Sequence, residues 1–368
     1  MRVLVTAAVP SHLMSIIPLA WALRSMGHEV LVAGKADVTA TARSAGLCTA
    51  DVREADSGLD ARRKAAAKPV SPDGPPDWAR MADNWRARVG NVLDSYLETA
   101  RQFRPDLVVT DPIEYSGPVL AGLLGIPYAV HRWGPESLSS DALPHARTAL
   151  ADLGPFNAPS AIVDPCPPSL QAPEATPASH PLRFVPFNGS GTVPRWPSDG
   201  RTRLCVSLGM FGFSVLAGDG SATVLEVLAG KLAGRTDLDV VLPVPAEYLE
   251  QVRELPAPVR VVPQVPLNTV LGDCALVLHH GGSGTALTAA TFGLPQLVMP
   301  QAHPALASCA ERLFKTGVAR ETGAEPAEVI DEVLASGNEA GRAAELREEM
   351  LALPTPAETA DALTREFA

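Results

Sequence analysis

The chain has 368 residues, 46% of them hydrophobic and 19% charged, which is enough to bury the cores of about two ordinary domains. A net charge of −11 argues against a nucleic-acid backbone as partner, and no run of about 18 apolar residues offers a membrane span. The 5 cysteines are odd in number and widely spaced, with no CxxC pair, which speaks against structural zinc and predicts reduced thiols in a cytoplasmic protein.

From the N-terminus, Arg2–Ala8 reads as a strand, His12–Met26 as a helix stopped by Gly27, and His28–Ala33 as a second strand. Pro10, Ser11 and His12 interrupt the first apolar stretch, so no signal peptide is expected. Asp56–Asp77 is polar and Pro-rich towards its end and reads as a long loop over a cleft. An amphipathic helix around Trp85–Phe103 then leads into a strand at Asp106–Thr110, a helix at Gly117–Leu124 and a strand at Pro127–His131. Strands alternating with helices predict a parallel sheet with right-handed crossovers.

Phe184–Gly200 is crowded with Gly, Pro, Asn and Ser and reads as a linker. After it the rhythm restarts. Strands are predicted at Arg203–Leu208, Asp239–Val244, Arg260–Val262, Leu276–His279 and Leu297–Met299, with helices at Ser221–Ala233, Thr285–Phe292, Leu306–Lys315 and Ala340–Leu353. The fold class is therefore α/β, two Rossmann-like halves whose strand ends face a central cleft.

Chemistry concentrates at three strand ends. His12 follows the first strand, with Ser11 as a candidate helix cap; an imidazole, with its ordinary pKa of about 6.5, is suited to taking a proton from a hydroxyl. Asp111 ends the strand "DLVVTDP" and is placed to orient His12, in the way the acid of a triad orients its histidine. The alternative readings are a cap histidine and a turn aspartate before Pro112, and Glu114 is a weaker candidate. The third strand end is "LHHGGSGT", where Gly281, Gly282 and Gly284 sit between a strand and a helix N-terminus. Glycines let a ligand approach the main chain, and the unpaired N–H groups of the helix start favour a phosphate. Gly209, at the end of the strand "CVSL", offers a similar position, and His279 or His280 is a candidate donor to a diphosphate; the alternative is a tight turn without a ligand. The first βα turn, "AAVPSH", lacks the G-x-G-x-x-G fingerprint, which argues against a nicotinamide dinucleotide.

These segments resemble family 1 glycosyltransferases of the actinomycete type that glycosylate polyketide, enediyne and macrolide antibiotics. The likeness lies in His12 with "PLAWALRSMGHEV", in "VPFNGSG", in "VPQVPLNTVL", in "HHGGSGTALTAATFGLPQLVMP" and in "REEMLALPTPAETA". The resemblance implies a GT-B fold: an acceptor-binding domain over 1–190, a nucleotide-sugar-binding domain over 191–353, and a C-terminal helix over 354–368 crossing back to the first domain. It implies His12 as base with Asp111 as its partner. Donor binding would fall to Gly209, Val265, His279, His280, Gly281, Gly282, Ser283, Gly284, Thr285 and His303, with Val265 meeting the base through its main chain. An acceptor cavity would be lined by Met14, Trp78, Met81, Trp85 and Trp133. The reaction implied is inverting transfer of a deoxysugar from a dTDP-sugar to a hydroxyl or an aromatic carbon of the aglycone, with no cofactor and no metal. A homodimer is common among members and stands as an open expectation.

Three positions depart from the family pattern. Pro304 and Ala305 stand where an acid–glutamine pair often binds sugar hydroxyls, Met210 where a Ser or Thr often meets phosphate, and Gln264 where an aromatic ring often stacks on the base. Fewer side-chain partners for hydroxyls suggest a deoxygenated sugar, since an unpartnered buried hydroxyl costs about 1–3 kcal/mol. The rival reading of the same departures is an inactive paralogue that activates a true transferase.

Overall fold

The structure, a computed structural model, describes all residues except 56–76, 136–138, 194, 197–198, 210–220, 253–254, 300–303, 324 and 368. The chain divides into two units. The first comprises Met1–Pro165, Pro173–Leu182 and Pro354–Ala368; the second comprises Cys166–Ala172 and Arg183–Leu353. The segment expected to be a linker thus begins inside the second unit, where Phe184 is buried among Ala286, Leu287 and Met350. The loop expected at Asp56–Asp77 lies, apart from Asp77, outside the described residues.

The first unit is built on seven parallel strands in the order β3-β2-β1-β4-β5-β6-β7. They are β1 (Arg2–Thr6), β2 (Glu29–Gly34), β3 (Cys48–Asp51), β4 (Leu107–Thr110), β5 (Tyr128–His131), β6 (Ala161–Asp164) and β7 (His180–Pro181). Val3, Leu4, Val5, Val108 and Val109 are fully buried, as expected of central parallel strands covered on both faces. Helices α1 (Pro10–Ser25), α2 (Ala36–Ser44), α3 (Trp78–Phe103), α4 (Ser116–Leu124) and α5 (Ser139–Leu150) connect or cover them. Helix α1 starts earlier than the sequence suggests: Val9 is the N-cap and Pro10 the first helical residue, so Ser11 is not the cap. A proline is well suited there because the first N–H of a helix has no intrahelical partner.

The second unit has six parallel strands in the order β10-β9-β8-β11-β12-β13. These are β8 (Thr202–Ser207), β9 (Leu238–Val244), β10 (Val259–Pro263), β11 (Leu276–His279), β12 (Gln296–Val298) and β13 (Ala319–Glu321). Helices α6 (Ser221–Leu232), α7 (Ser283–Thr291), α8 (Pro304–Thr316), α9 (Pro326–Ser336) and α10 (Asn338–Ala352) follow in order. The last helix, α11 (Pro356–Phe367), belongs to the first unit. There Thr359 Oγ1 donates to the carbonyl of Pro181 at 2.9 Å, and His180 Nε2 lies 3.2 Å from Glu366. All 5 cysteines are free thiols. No helix among the described residues is long and apolar enough to cross a membrane.

Candidate active site

In each sheet the strand order reverses at one place, and the loops leaving the strand ends there run in opposite directions, opening a crevice for a ligand. In the first unit the reversal lies between β1 and β4, which pair in parallel with Thr6 opposite Thr110. The two hydroxyls are joined at 2.9 Å. Gly117 of α4 packs so closely that a Cβ there would stand 2.7 Å from Thr110 Oγ1. The loop after β1 carries His12 in the first turn of α1, and Asp111 is the residue after β4.

Asp111 is 2% exposed, and its carboxylate is held by main-chain donors: Ala8 N to Oδ2 at 2.6 Å, and Ile113 N and Glu114 N to Oδ1 at 2.9 and 3.1 Å. Burial opposes its charge, but His12 and these amides outweigh burial and hold the carboxyl below its ordinary value. The two local amides form an Asx turn ahead of α4, so Asp111 does serve as a turn residue, while its other oxygen faces His12. Nδ1 of His12 lies 3.3 Å from Oδ2, a close polar contact rather than a well-aligned hydrogen bond. Nε2 of His12 has no partner among the described residues. The indole of Trp133, two residues beyond β5, stacks on the imidazole with ring centroids 3.8 Å apart and planes 10° from parallel.

A pocket beside this pair, wholly within the first unit, is lined by Ala7, Ala8, Trp85, Arg88, Tyr115 and neighbouring residues. Trp85 meets Tyr115 edge-on at 5.2 Å. The Tyr115 hydroxyl is buried without a hydrogen-bond partner among the described residues, and burial pushes its pKa well above the ordinary value. Glu114 also lines the pocket; burial and then the nearby Asp111 raise its pKa.

Of the five residues expected in one acceptor cavity, three have aromatic contacts of their own. Trp85 alone lines this pocket, Trp133 stacks on His12, and Trp78 stacks on His145 with centroids 4.8 Å apart. Met14 and Met81 are half-buried on α1 and α3 and do not line it. Sequence reading misses Tyr115 and the stacking role of Trp133. The former has no motif to mark it, and the latter needs a contact between residues about 120 positions apart, far beyond any local pattern.

In the second unit the reversal lies between β8 and β11, which pair with His279 opposite Ser207. Gly209 follows β8, and the glycine loop follows β11. His279 is fully buried, and both its ring nitrogens are engaged: Gly281 N donates to Nδ1 at 3.0 Å, and Nε2 faces Oε1 of Gln296 at 2.9 Å. Gln296 in turn donates to the carbonyl of Ala286 at 3.2 Å, tying β12 to α7. Burial and the adjacent His280 lower the pKa of His279 to about 3, so it is neutral. This corrects two expectations. His279 has no nitrogen left for a diphosphate, and the N–H of Gly281 is already engaged by His279.

His280 is 5% exposed and neutral, its pKa lowered by burial to about 4. Its ring is wedged between two glycines: a Cβ on Gly209 or on Gly282 would stand 2.4 Å from it. Gly209 and Gly281 also have positive φ, +61° and +86°, which favours glycine. Gly282 is the N-cap of α7, and its carbonyl accepts from Ala286 N at 3.0 Å. The N–H groups of Gly282, Ser283, Gly284 and Thr285 have no acceptor among the described residues, as the first turn of a helix requires. The hydroxyl of Ser283 is turned to Cys309 Sγ at 3.6 Å, leaving its main chain as the exposed donor. Val265 buries its side chain in a core cluster with Leu267 and Val270, and Gln264 beside it is exposed. His303 and Met210 lie outside the described residues, and Pro304 opens α8. Among the described residues no group of three His, Cys, Asp or Glu side chains is placed to hold a metal ion.

Two family models match the chain: Erythromycin biosynthesis protein CIII-like, N-terminal domain, over residues 79–209, and the C-terminal domain of the same description over residues 226–365. The 10-deoxymethynolide desosaminyltransferase of Streptomyces venezuelae is 30% identical over 97% of this chain and 95% of its own. The L-demethylnoviosyl transferase of Streptomyces niveus is 32% identical over 100% of this chain and 98% of its own. Among solved structures, Spinosyn Rhamnosyltransferase SpnG complexed with thymidine diphosphate superposes with a TM-score of 0.84 at 34% identity, covering 100% of this chain and 99% of that one. The same protein is also solved complexed with spinosyn aglycone.

Proposed function

We infer the reaction from the family to which this chain belongs, the EryCIII-like glycosyltransferases of actinomycete natural-product biosynthesis, with the GT-B fold. It is a glycosyltransferase that moves a sugar from a dTDP-sugar to a polyketide or other natural-product aglycone. We assign the base to His12. Its Nε2 takes the proton of the acceptor hydroxyl as that oxygen attacks the anomeric carbon, and the bond from this carbon to the diphosphate breaks with inversion. Asp111 holds Nδ1 and stabilises the imidazolium that forms. The diphosphate, gaining charge as it leaves, is received by the free amides of Gly282, Ser283, Gly284 and Thr285 and by the positive end of α7. His279 and His280 carry no charge and act by shaping the loop that presents these amides.

The observation that carries this reading is the repeated placement. One sheet sets a histidine–carboxylate pair at its reversal point, and the other sets a row of amides, unpaired among the described residues, at its own. Thymidine diphosphate in the SpnG complex, a full-length relative in fold, supports dTDP as the leaving group. We further infer a deoxysugar donor from Pro304 and Ala305, which lack side-chain groups to satisfy sugar hydroxyls. SpnG is a rhamnosyltransferase, and rhamnose is a deoxysugar. The non-catalytic partner reading is not favoured, because the His12–Asp111 pair and the glycine loop are both intact.

The test is a mass-spectrometric screen of the purified protein with dTDP-deoxysugars and a panel of macrolactone and polycyclic aromatic acceptors. The expected result is a product heavier by one sugar residue, with dTDP released only when both substrates are present. Absence of product across the panel together with absence of dTDP binding would overturn the reading.

A further inference from the structure

We propose that Trp133 is a positioning residue for the base: it fixes the plane of the His12 ring and favours the imidazolium that exists only after the acceptor proton has been taken. The inference rests on the assignment of His12 given above. It replaces the expectation that Trp133 serves as a wall for the aglycone.

The geometry is specific. A centroid separation of 3.8 Å with planes 10° apart puts the two rings face to face in contact. Two neutral aromatic rings prefer an offset or edge-on arrangement, because their quadrupoles repel face to face. A cation over an indole face is attracted by the same quadrupole. The stack therefore gains strength when His12 becomes charged, and an interaction stronger late in the reaction than in the ground state accelerates it. The contact is also complementary to Asp111. Asp111 approaches His12 at Nδ1, 3.3 Å away, while Trp133 covers one face of the ring. With an edge and a face both occupied, Nε2 has little freedom of direction. Orientation of this kind, held before the substrate arrives, is worth large factors in rate.

Among the described residues, the charged and titratable groups near this ring besides Asp111 include Arg88 and Glu114, which line the pocket beside it. Glu114 lies behind Asp111 with a raised pKa. His131, two residues before Trp133, is fully buried and neutral, its pKa lowered to about 4 by burial. Arg132, between them, is paired with Asp164 at 2.8 Å.

The experiment compares Trp133→Leu and Trp133→Phe with the parent enzyme, using dTDP affinity as the control for an intact second unit. In Trp133→Leu, kcat is expected to fall about 3- to 10-fold while the acceptor KM stays within about 2-fold. The acid limb of the kcat/KM–pH profile should move about half a pH unit lower, because the base without its indole stays deprotonated to lower pH. Trp133→Phe keeps an aromatic face and should restore most of both effects. A raised acceptor KM with kcat and the acid limb unchanged would assign Trp133 to the aglycone wall and overturn the proposal. Full turnover in His12→Ala, by contrast, would defeat the underlying base assignment.

Discussion

Nδ1 of His12 stands 3.3 Å from Oδ2 of Asp111, and that carboxylate oxygen is simultaneously held by the amide of Ala8 at 2.6 Å. The turn that delivers the histidine is thus tied to the acid that orients it, across neighbouring strands. If His12 is the base, His12→Ala should lower kcat by roughly 10²- to 10⁴-fold, the range typical of a lost general base. Asp111→Asn should lower it as well, since the amide keeps the turn but not the charge. Both variants should bind dTDP as the parent does. Steady-state kinetics with isothermal calorimetry separates these effects, and full turnover in both variants would remove the pair from the mechanism.

The glycine loop makes a positional prediction. Gly282→Ala places a methyl group 2.4 Å from the His280 ring, whereas Gly284→Ala meets nothing within 4 Å. The first substitution must displace either the ring or the loop and should weaken dTDP binding about 10-fold or more. The second should bind within about 2-fold of the parent. Calorimetric titration of the two variants checks the contrast, and equal losses would show that the wedge of His280 does not govern the loop.

Gln296 is fully buried and joins His279 to the carbonyl of Ala286. Gln296→Leu removes both bonds and strands the Nε2 of His279, a cost of about 1–3 kcal/mol for a buried group left unmet. The melting temperature should fall, with dTDP affinity falling too because the loop loses its anchor. A thermal shift series with and without dTDP measures both. An unchanged melting temperature would mean that the histidine finds another partner.

His131, His279 and His280 provide a pH dependence of stability. Their folded pKa values lie near 4, 3 and 4, below the ordinary value of about 6.5. As the pH falls below about 6.5 the unfolded chain takes up protons that the folded chain refuses, so stability is complete above that pH and is lost downwards towards 4. Glu114, with its raised pKa, works in the opposite direction. The melting temperature should therefore drop between pH 7 and pH 5, and His131→Asn should show a shallower drop. A pH-independent melting temperature across that range would contradict the burial of neutral imidazoles.

The fold is legible in the sequence because parallel central strands are short apolar runs punctuated by glycine and proline. Leu107–Thr110 and Leu276–His279 can be read almost to the residue. Marginal elements cannot: β3 is Cys-Thr-Ala-Asp, β7 is two residues, and β13 is Ala-Arg-Glu, none with an apolar pattern. The site is legible as positions rather than as contacts. Asp111 and His12 are recognisable from their places at strand ends, which topology brings together. The engagement of His279 with Gln296, and the stack of Trp133 on His12, depend on which atoms meet across the sheet. No spacing in the chain encodes those contacts.

The central claim is that the main-chain amides at the start of α7 hold the diphosphate. A crystal structure of the protein with thymidine diphosphate tests it most directly. Diphosphate oxygens are expected about 2.7–3.2 Å from the amide nitrogens of residues 282 to 285, with Gly281 N still bonded to His279. A diphosphate seated elsewhere, or gripped by side chains while those four amides face solvent, would contradict it.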